Sequence, residues 1–401
     1  MLWQALSLQL GYNATLVTVG AALLGIAAGV TGTFLFLRRR ALVSDAISHA
    51  TLPGIAIAFL LMVALGGDGR ALPGLLAGSA VSAGLGLLLI QWLTRRTSLA
   101  EDAAIGAVLS VFFGFGVVLL TVIQTSQLGR QAGLESFLLG ATAGMLRQDA
   151  LLIAMGGALI LALVILLRRP MTTVAFDTEY ARASGMSVDR IDLAIMGLVL
   201  AVTVIGLKIV GLVLIVALLI IPPVTARFWS ERAGRVAVIG GVVGGASAYL
   251  GAALSAVVPD LPTGPIIVLI AFSAFTLSLL LAPGRGVLAA FARHRSFQTR
   301  VHLRQGLLAL GQDQPIYEPL TLRLLRRAGL ATADGVATQA GRARAARALR
   351  DEARWQIARQ MAAHEAATTH YDGLTPIEEV LTTDQIAEID RRLGGPTEAL
   401  T

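Results

Sequence analysis

The chain has 401 residues, of which 55% are hydrophobic and 14% are charged, and its mean hydropathy is +0.74. This composition excludes an ordinary soluble domain, in which roughly 25% of residues are charged. The formal net charge of +7 comes almost entirely from arginine, and the absence of cysteine excludes disulfides and thiolate metal sites. Long apolar runs end near residue 283, and a charged segment follows. The sequence therefore predicts an all-α polytopic membrane domain over residues 1–290 and a small cytoplasmic α(+β) domain over residues 296–401.

Eight or nine membrane spans are predicted, several of them shorter than the roughly 20 residues of a full crossing. The segment 191–228 leaves two alternatives open, namely two short helices that turn at Gly206–Lys208 or one broken helix. Residues 132–146 are too short to span and are expected to form an external or re-entrant helix. With the 191–228 segment counted as two helices, the spans are 14–37, 43–66, 71–93, 103–123, 150–167, 191–207, 209–228, 236–258 and 264–282.

Arginines recur in alternate connections between the spans, and cytoplasmic loops carry the excess of basic residues in membrane proteins. The runs Arg38–Arg40, Arg95–Arg96 and Arg168–Arg169 then lie on one side of the membrane. This arrangement places the N-terminus outside and the C-terminus in the cytoplasm. No basic segment precedes the first apolar stretch, so no cleaved signal peptide is expected.

One carboxylate and one imidazole, Asp45 and His49, lie in the second predicted span. Their i,i+4 spacing places both on one face of a helix, where an oxygen and a nitrogen ligand can hold a divalent metal ion. Ionisable residues inside membranes are usually functional. The alternative is an interfacial acid favoured by the helix dipole and a histidine that hydrogen-bonds between helices. Pro53 and Gly54 follow one turn later and indicate either a helix break in the path or a plain packing kink.

A second candidate feature lies in the loop of mixed charge between the fifth and sixth spans. Asp177, Glu179 and Ala181 precede Gly185, a residue type that commonly ends a helix. A short helix of this kind can insert as a rigid knob into a cleft of a partner protein. The alternative is an ordinary surface turn, and the predicted topology places the loop on the cytoplasmic side.

Five short motifs occur in an order that is typical of one transporter family. They cover residues 45–54, 104–106, 176–185, 210–227 and 261–264. Together they resemble the permease subunits of metal-ion ABC importers of the ABC-3 type, which take up manganese, iron or zinc. The resemblance extends over nearly the whole apolar part of the chain.

The resemblance implies a transport subunit that is not itself an enzyme. Asp45 and His49 are then metal ligands in the path, and the motif 176–185 couples the chain to an ATPase. The implied partners are that separate ABC ATPase, an extracytoplasmic metal-binding protein, a second copy or paralogue of the permease, and the lipid of a bacterial cytoplasmic (inner) membrane. No cofactor is expected to stay bound, because the metal ion is the transported substrate. Manganese or iron is favoured over zinc, since no histidine-rich loop is present.

The charged C-terminal segment combines helical patterns with a short hairpin at 329–338, which contains an Asp-Gly turn. That order is typical of a winged helix, and segments around the hairpin and around Glu378 resemble part of the iron- and manganese-dependent repressors. Glu378 fits the metal-binding pair of those repressors, but Glu379 stands where they carry histidine, so metal sensing there is not expected. A regulatory or ATPase-docking role is favoured. The predicted helices are 299–311, 319–328 and 340–366.

Three alternatives compete with a metal importer. A cobalamin- or siderophore-type importer permease would not need the Asp45–His49 pair. A membrane-anchored metal-responsive regulator would use the C-terminal domain as its output, but nucleic acid is disfavoured as a partner because no base-reading residues are recognisable. A gradient-driven transporter would need no ATPase. The chain itself cannot form a P-loop, because Lys208 is its one lysine and Leu207 precedes it where glycine is required.

Overall fold

Two compact units make up the chain, Met1–Ala289 and Ala290–Thr401. The helix expected at 132–146 lies outside the residues that the structure describes. In this computed structural model the described residues are 3–4, 7–9, 11–67, 69, 71–125, 147–258, 261–361 and 373–394.

The first unit is a bundle of long apolar helices. Within the described ranges, eight helices are long and apolar enough to cross a membrane, and a shorter apolar helix, Leu214–Arg227, accompanies them. An all-helical polytopic architecture with about eight spans is thus confirmed. The helices are α1 (Tyr12–Leu37), α2 (Ala41–Ala64), α3 (Leu72–Arg96), α4 (Glu101–Thr125), α5 (Arg147–Phe176), α6 (Thr178–Ala183), α7 (Val188–Arg227), α8 (Ala233–Val257) and α9 (Thr263–Leu281).

Helix α1 packs against α5, α7 and α8, and glycines allow its backbone to approach α8 closely. A Cβ atom added at Gly25 would collide with the carbonyl oxygen of Gly244, and one added at Gly29 would collide with that of Gly240. Lipid is as apolar as the helix surfaces, so van der Waals contact, rather than the hydrophobic effect, holds membrane helices together. These glycines therefore act through close packing, as expected for small residues within spans.

Helix α7 is interrupted at Gly211, whose φ of 77° and ψ of 172° are not helical. A Cβ atom added at Gly206 would lie 2.7 Å from the Ile215 Cδ1 atom. In a straight helix these two residues would be about 13.5 Å apart along the axis. The chain therefore folds back between them.

The two halves of α7 lie antiparallel beside α1. Asp192, near the start of the first half, pairs with Arg38 at the end of α1. Leu219, in the second half, lies against Gly32 in the same part of α1. Of the two alternatives for this segment, the structure has the pair of short helices, and the turn falls at Gly211 rather than at Gly206–Lys208. The reason is that this backbone conformation is accessible almost only to glycine.

The C-terminal part of the chain is also helical, and it does not support the expected winged helix. One isolated bridge, Ala331–Ala337, stands where two hairpin strands were expected, and the described residues contain no strand. The segment is rich in alanine and glycine, which are poor strand formers, so the pairing does not extend. The elements are α10 (Val287–Gly311), α11 (Pro319–Arg327), α12 (Gln339–Gln360), a 3₁₀ turn (Ile377–Glu379) and α13 (Thr383–Leu393).

Candidate metal site and docking loop

Asp45 and His49 lie one turn apart near the start of α2. The His49 Nε2 atom is 3.4 Å from the Asp45 Oδ1 atom, and the side chains of Asp45 and His49 are 40% and 23% exposed. The structure therefore brings the two predicted ligands together on a surface that the rest of the described chain leaves partly open.

The separation of these two atoms suits a shared metal ion. With metal–ligand bonds of about 2.1 Å, an ion that contacts both atoms has an N–metal–O angle of about 108°. This angle is close to that of tetrahedral coordination. A small rotation of either side chain reaches the right angle of octahedral coordination, so the geometry admits either arrangement.

The His49 imidazole packs against an aromatic ring on one side, and one of its nitrogen atoms lacks a hydrogen-bond partner. Phe113 of α4 packs edge-to-face against the imidazole, with ring centroids 4.9 Å apart. The His49 Nδ1 atom is buried and has no hydrogen-bond partner in the part of the chain that the structure describes. A metal on Nε2 leaves the imidazole proton on Nδ1, and ligating histidines usually donate that proton to an acceptor. The outer shell of this site is therefore incomplete within the described residues.

Pro53 and Gly54 are buried in contacts between helices. A Cβ atom added at Gly116 of α4 would lie 3.2 Å from the Pro53 Cδ atom, and one added at Gly54 would collide with the carbonyl oxygen of Gly78 on α3. Pro53 lies inside α2 and has no amide hydrogen, so the His49 carbonyl oxygen lacks its usual helical donor. The proline thus leaves the His49 carbonyl without its helical donor, while the glycine serves packing.

Asp45 and His49 would supply two ligands, and the described ranges hold no group of three or more His, Cys, Asp or Glu side chains that could bind a metal ion. Divalent transition metals take about four to six ligands. A metal ion at this pair therefore needs water, backbone oxygens or a second protein chain to complete its coordination.

The loop between α5 and α7 contains the short helix α6. The Asp177 Oδ1 atom caps it by accepting a hydrogen bond from the Tyr180 amide at 2.8 Å. Gly185, at φ 79°, ends it in the left-handed conformation that glycine adopts readily. Ala181 is fully buried and Glu179 is exposed. The helix is therefore fixed at both ends and offers one polar face.

Ala181 packs α6 against the ends of the two neighbouring helices, α5 and α7. It packs in a small apolar cluster with Val174 of α5 and Val188 of α7, both of which are buried. The exposed large side chains of the same region are Phe176 and Tyr180, at 59% and 62%. This arrangement presents a rigid, partly aromatic projection that a partner surface can receive.

An ionic network beside α6 was missed by the sequence analysis. The Arg38 Nη2 atom lies 2.6 Å from Asp192 Oδ2, and Arg38 Nη1 donates to the Val174 carbonyl at 2.9 Å. Arg40 reaches both Asp192, at 3.3 Å, and Glu101, at 2.7 Å. From the sequence alone, these arginines indicate only the cytoplasmic side. A usable signal was Asp192 itself, because an acid in an apolar span requires a cation nearby.

In the C-terminal unit, Glu378 faces an arginine. The Arg354 Nε and Nη2 atoms donate to Asp390 at 2.7 and 2.6 Å, and Nη1 donates to Glu378 at 3.4 Å. The hydrogen bonds to Asp390 raise the pKa of Arg354, and the same bonds lower the pKa of Asp390. A guanidinium thus occupies the position that a cation would take, which does not favour a metal site at Glu378.

Comparison with known proteins adds an independent set of observations. A family model described as "ABC 3 transport family" matches residues 12–282. The manganese transport system membrane protein MntC of Bacillus subtilis (strain 168) is 40% identical over 310 residues, which are 77% of this chain and 70% of that protein. The zinc transport system membrane protein TroC of Treponema pallidum (strain Nichols) is 38% identical over 284 residues, 71% of this chain and 94% of that protein.

A solved structure has a similar fold. It is described as PsaBC from Streptococcus pneumoniae in complex with Fab, and it is 29% identical to this chain with a TM-score of 0.61. The match covers 71% of this chain and 98% of the matched chain. The similarity therefore extends over nearly the whole of the matched chain, and part of this chain has no counterpart in it.

Proposed function

Because the chain belongs to the ABC 3 transport family, we propose that it is the membrane-spanning permease of an ATP-driven importer of divalent transition metal ions. The observation that carries this proposal is the Asp45–His49 pair, whose ligand atoms lie 3.4 Å apart on a partly open surface of an apolar helix bundle. Manganese or iron is favoured over zinc as the substrate. The manganese-transport relative supports this preference. Because another relative is a zinc transport protein, zinc is included among the metals to be tested.

Asp45 and His49 are proposed to be ligands on the metal path, and the helix break at Pro53 and Gly54 is proposed to lie in that path. A second copy of the chain, or a close paralogue, is proposed to cover this surface. The support is energetic: a carboxylate that is 40% exposed on an apolar bundle is costly against lipid, and a protein partner removes that cost. The same partner supplies ligands that the described chain lacks.

Energy for transport is proposed to come from a separate ABC ATPase that receives α6. The capped N-terminus at Asp177, the exposed Glu179, the buried Ala181 and the terminating Gly185 support this role, because together they hold a short helix rigidly while leaving its outer face free. The chain has no P-loop lysine of its own, so the hydrolysing subunit is a partner.

The proposed location is the cytoplasmic (inner) membrane of a bacterium, with the N-terminus outside and the C-terminus inside. An extracytoplasmic metal-binding protein then delivers the ion from outside. The support is the position of the arginine-rich connections, all of which fall on the side assigned to the cytoplasm.

Residues 296–401 are proposed to be a cytoplasmic regulatory or ATPase-docking domain, with the permease domain ending near residue 290. The helices α11 and α12 and the bridge between them follow the order predicted from the sequence, but the single bridge does not make a wing, so a winged helix is not proposed. The contact of Arg354 with Glu378 argues against metal sensing. Nucleic acid is not proposed as a partner.

The decisive experiment is metal uptake in cells that also express the cognate ATPase and binding protein. Labelled manganese, iron and zinc are compared for the wild type, Asp45→Asn and His49→Gln at equal membrane abundance. Uptake of one metal by the wild type and a loss of more than about tenfold in each variant are expected, since even residues behind a ligand change metal affinity by that much. The matched control is Asp102→Asn, which removes an exposed acid at the start of α4 and should keep wild-type uptake.

The same experiment separates the competing functions. Normal uptake in both variants removes the pair from the path. Absence of metal uptake in the wild type, with uptake of a cobalamin or siderophore, identifies an organic-ligand permease. Absence of all uptake, with metal-dependent output from residues 296–401, identifies a regulator.

A further inference from the structure

The turn between α1 and α2 lies between two parts of the site. On one side are the helices that flank α6, and on the other is α2, which carries Asp45 and His49. Arg38 follows the last residue of α1, and Arg40 directly precedes α2, so Asp45 lies little more than one turn beyond the arginines. In the opposite direction, Arg38 holds Val174 and Asp192, which belong to the two helices that flank α6. A movement of α6 and its flanking helices relative to the bundle therefore displaces Arg38 first and α2 afterwards.

Two buried atoms of this network have no hydrogen-bond partner in the described part of the chain, Arg38 Nε and Asp192 Oδ1. They are the two atoms that would convert the present Nη2-to-Oδ2 contact into a two-pronged arginine–carboxylate pair. Asp192 Oδ2 is instead shared with Arg40 Nη1 at 3.3 Å. The network thus contains a second pairing that is unused here, in which both oxygens of the Asp192 carboxylate accept hydrogen bonds from Arg38.

We propose that Asp192 alternates between these two pairings during transport and thereby passes the movement of α6 to α2. The inference rests on the proposed function. In the pairing seen here Asp192 holds both arginines and fixes the start of α2. In the other, Asp192 pairs with Arg38 alone, Arg40 keeps only Glu101, and α2 is free to shift with its metal pair. Arg38, Arg40 and Asp192 are positioning residues, because none of them contacts the metal ion.

Charge balance makes both pairings accessible. The network has two guanidinium groups and two carboxylates, and Arg40 retains Glu101 at 2.7 Å when Asp192 leaves it. Neither arrangement leaves an uncompensated charge at Arg38 and Asp192, which are 13% and 8% exposed. Removal of one partner from a buried pair is costly mainly because the other charge is left alone, and that cost does not arise here.

The test compares Asp192→Asn with Asp189→Asn in the full complex, reconstituted in liposomes with the ATPase and the binding protein, with Mn²⁺ as the probe. Both acids lie on α7 about one turn apart, but the contact of Asp189 with Arg95 is largely exposed. The measured quantity is the number of Mn²⁺ ions transported per ATP hydrolysed. We expect Asp192→Asn to lower it by about tenfold, within the usual range of coupling between sites. Asp189→Asn should leave it unchanged.

A second variant distinguishes a loss of coupling from a loss of folding or assembly. Arg38→Met/Asp192→Leu removes both buried charges and leaves Arg40 paired with Glu101, so folding and complex assembly should be retained. The switch predicts that this variant hydrolyses ATP but still transports about tenfold fewer ions per ATP. A wild-type ratio in this double variant or in Asp192→Asn overturns the inference, as does loss of assembly with the ATPase in both. A wild-type complex that hydrolyses ATP without taking up Mn²⁺, Fe²⁺ or Zn²⁺ overturns the proposed function instead.

Discussion

Gly211 has a backbone conformation that no other residue type adopts at low cost, with φ 77° and ψ 172°. Replacement by alanine should lower the free energy of unfolding by about 1–3 kcal/mol, because a side chain in this region of φ/ψ space is strained. Unfolding of the purified protein by SDS measures the change. Gly197→Ala on the same helix is the control, since a Cβ atom there meets nothing within 4 Å and its helical backbone accepts alanine. Equal stability of the two variants would contradict a sharp turn at Gly211.

At the scale of single residues, the sequence predicts contacts between residues a few positions apart. It does not predict contacts between residues that are far apart in the chain. Asp45 and His49 are four positions apart, so helical periodicity alone was enough to place them on one face. Arg38 and Asp192 are 154 positions apart, and no spacing rule connects them. Their pairing depends on how α1 packs beside α7, which is a property of the whole bundle. The sequence could therefore identify the candidate ligands but not the network behind them.

At the scale of elements, helix α12 is held to α13 by Arg354 and Asp390, and this pair makes the C-terminal unit sensitive to acid. The pKa of Asp390 is lowered in the folded protein, chiefly by its hydrogen bonds to Arg354. Its stabilising contribution is therefore present above the ordinary carboxyl pKa and is lost as the pH falls through the lowered value. The raised pKa of Arg354 has no effect in this range, since arginine stays protonated.

Hydrogen exchange of α12 and α13 in the full-length protein tests this acid sensitivity. Amide protection in these helices should stay constant down to about pH 5 and fall as the pH is lowered further, since the paired carboxylate is protonated only there. Asp390→Asn should show reduced protection already at pH about 6 and a flatter pH dependence. The control is Glu379→Gln, which changes an exposed acid in the 3₁₀ turn and should follow the wild type. A pH response in Asp390→Asn as steep as that of the wild type would exclude this pair as the cause.

Helix positions were predictable from apolar periodicity, whereas helix contacts were not. Predicted spans such as 14–37 and 236–258 agree with α1 and α8 within a few residues, because length and hydropathy determine where a span begins and ends. The glycines in these spans indicate close packing, but the sequence does not show which helix each glycine contacts. Gly25 meets Gly244 and Gly29 meets Gly240 because the two helices happen to be neighbours, which is decided by the packing of all spans together.

For the whole molecule, the turn at Gly211 bears on the proposed topology, which has the N-terminus outside and the C-terminus inside. Because the two halves of α7 are antiparallel, α7 begins and ends on the same side of the membrane. It therefore adds no net crossing. Among the described residues, helices α1 to α5 provide five candidate crossings, and α8 and α9 provide two more. An odd number of crossings places the termini on opposite sides, while an uninterrupted α7 would place them on the same side. Together with the positive-inside rule, this odd count agrees with the proposed cytoplasmic C-terminus.

The natural absence of cysteine allows this topology to be measured directly, since every label reports an introduced residue. Leu65→Cys lies just after α2 at a position that is 87% exposed, and Ser98→Cys lies between α3 and α4. Tyr317→Cys, also 87% exposed, reports the C-terminal unit. A membrane-impermeant maleimide should label Leu65→Cys in intact cells, and should label Ser98→Cys and Tyr317→Cys only after permeabilisation. Labelling of Tyr317→Cys from outside, with Ser98→Cys protected, would mean that α7 crosses the membrane once and that the hairpin at Gly211 is wrong.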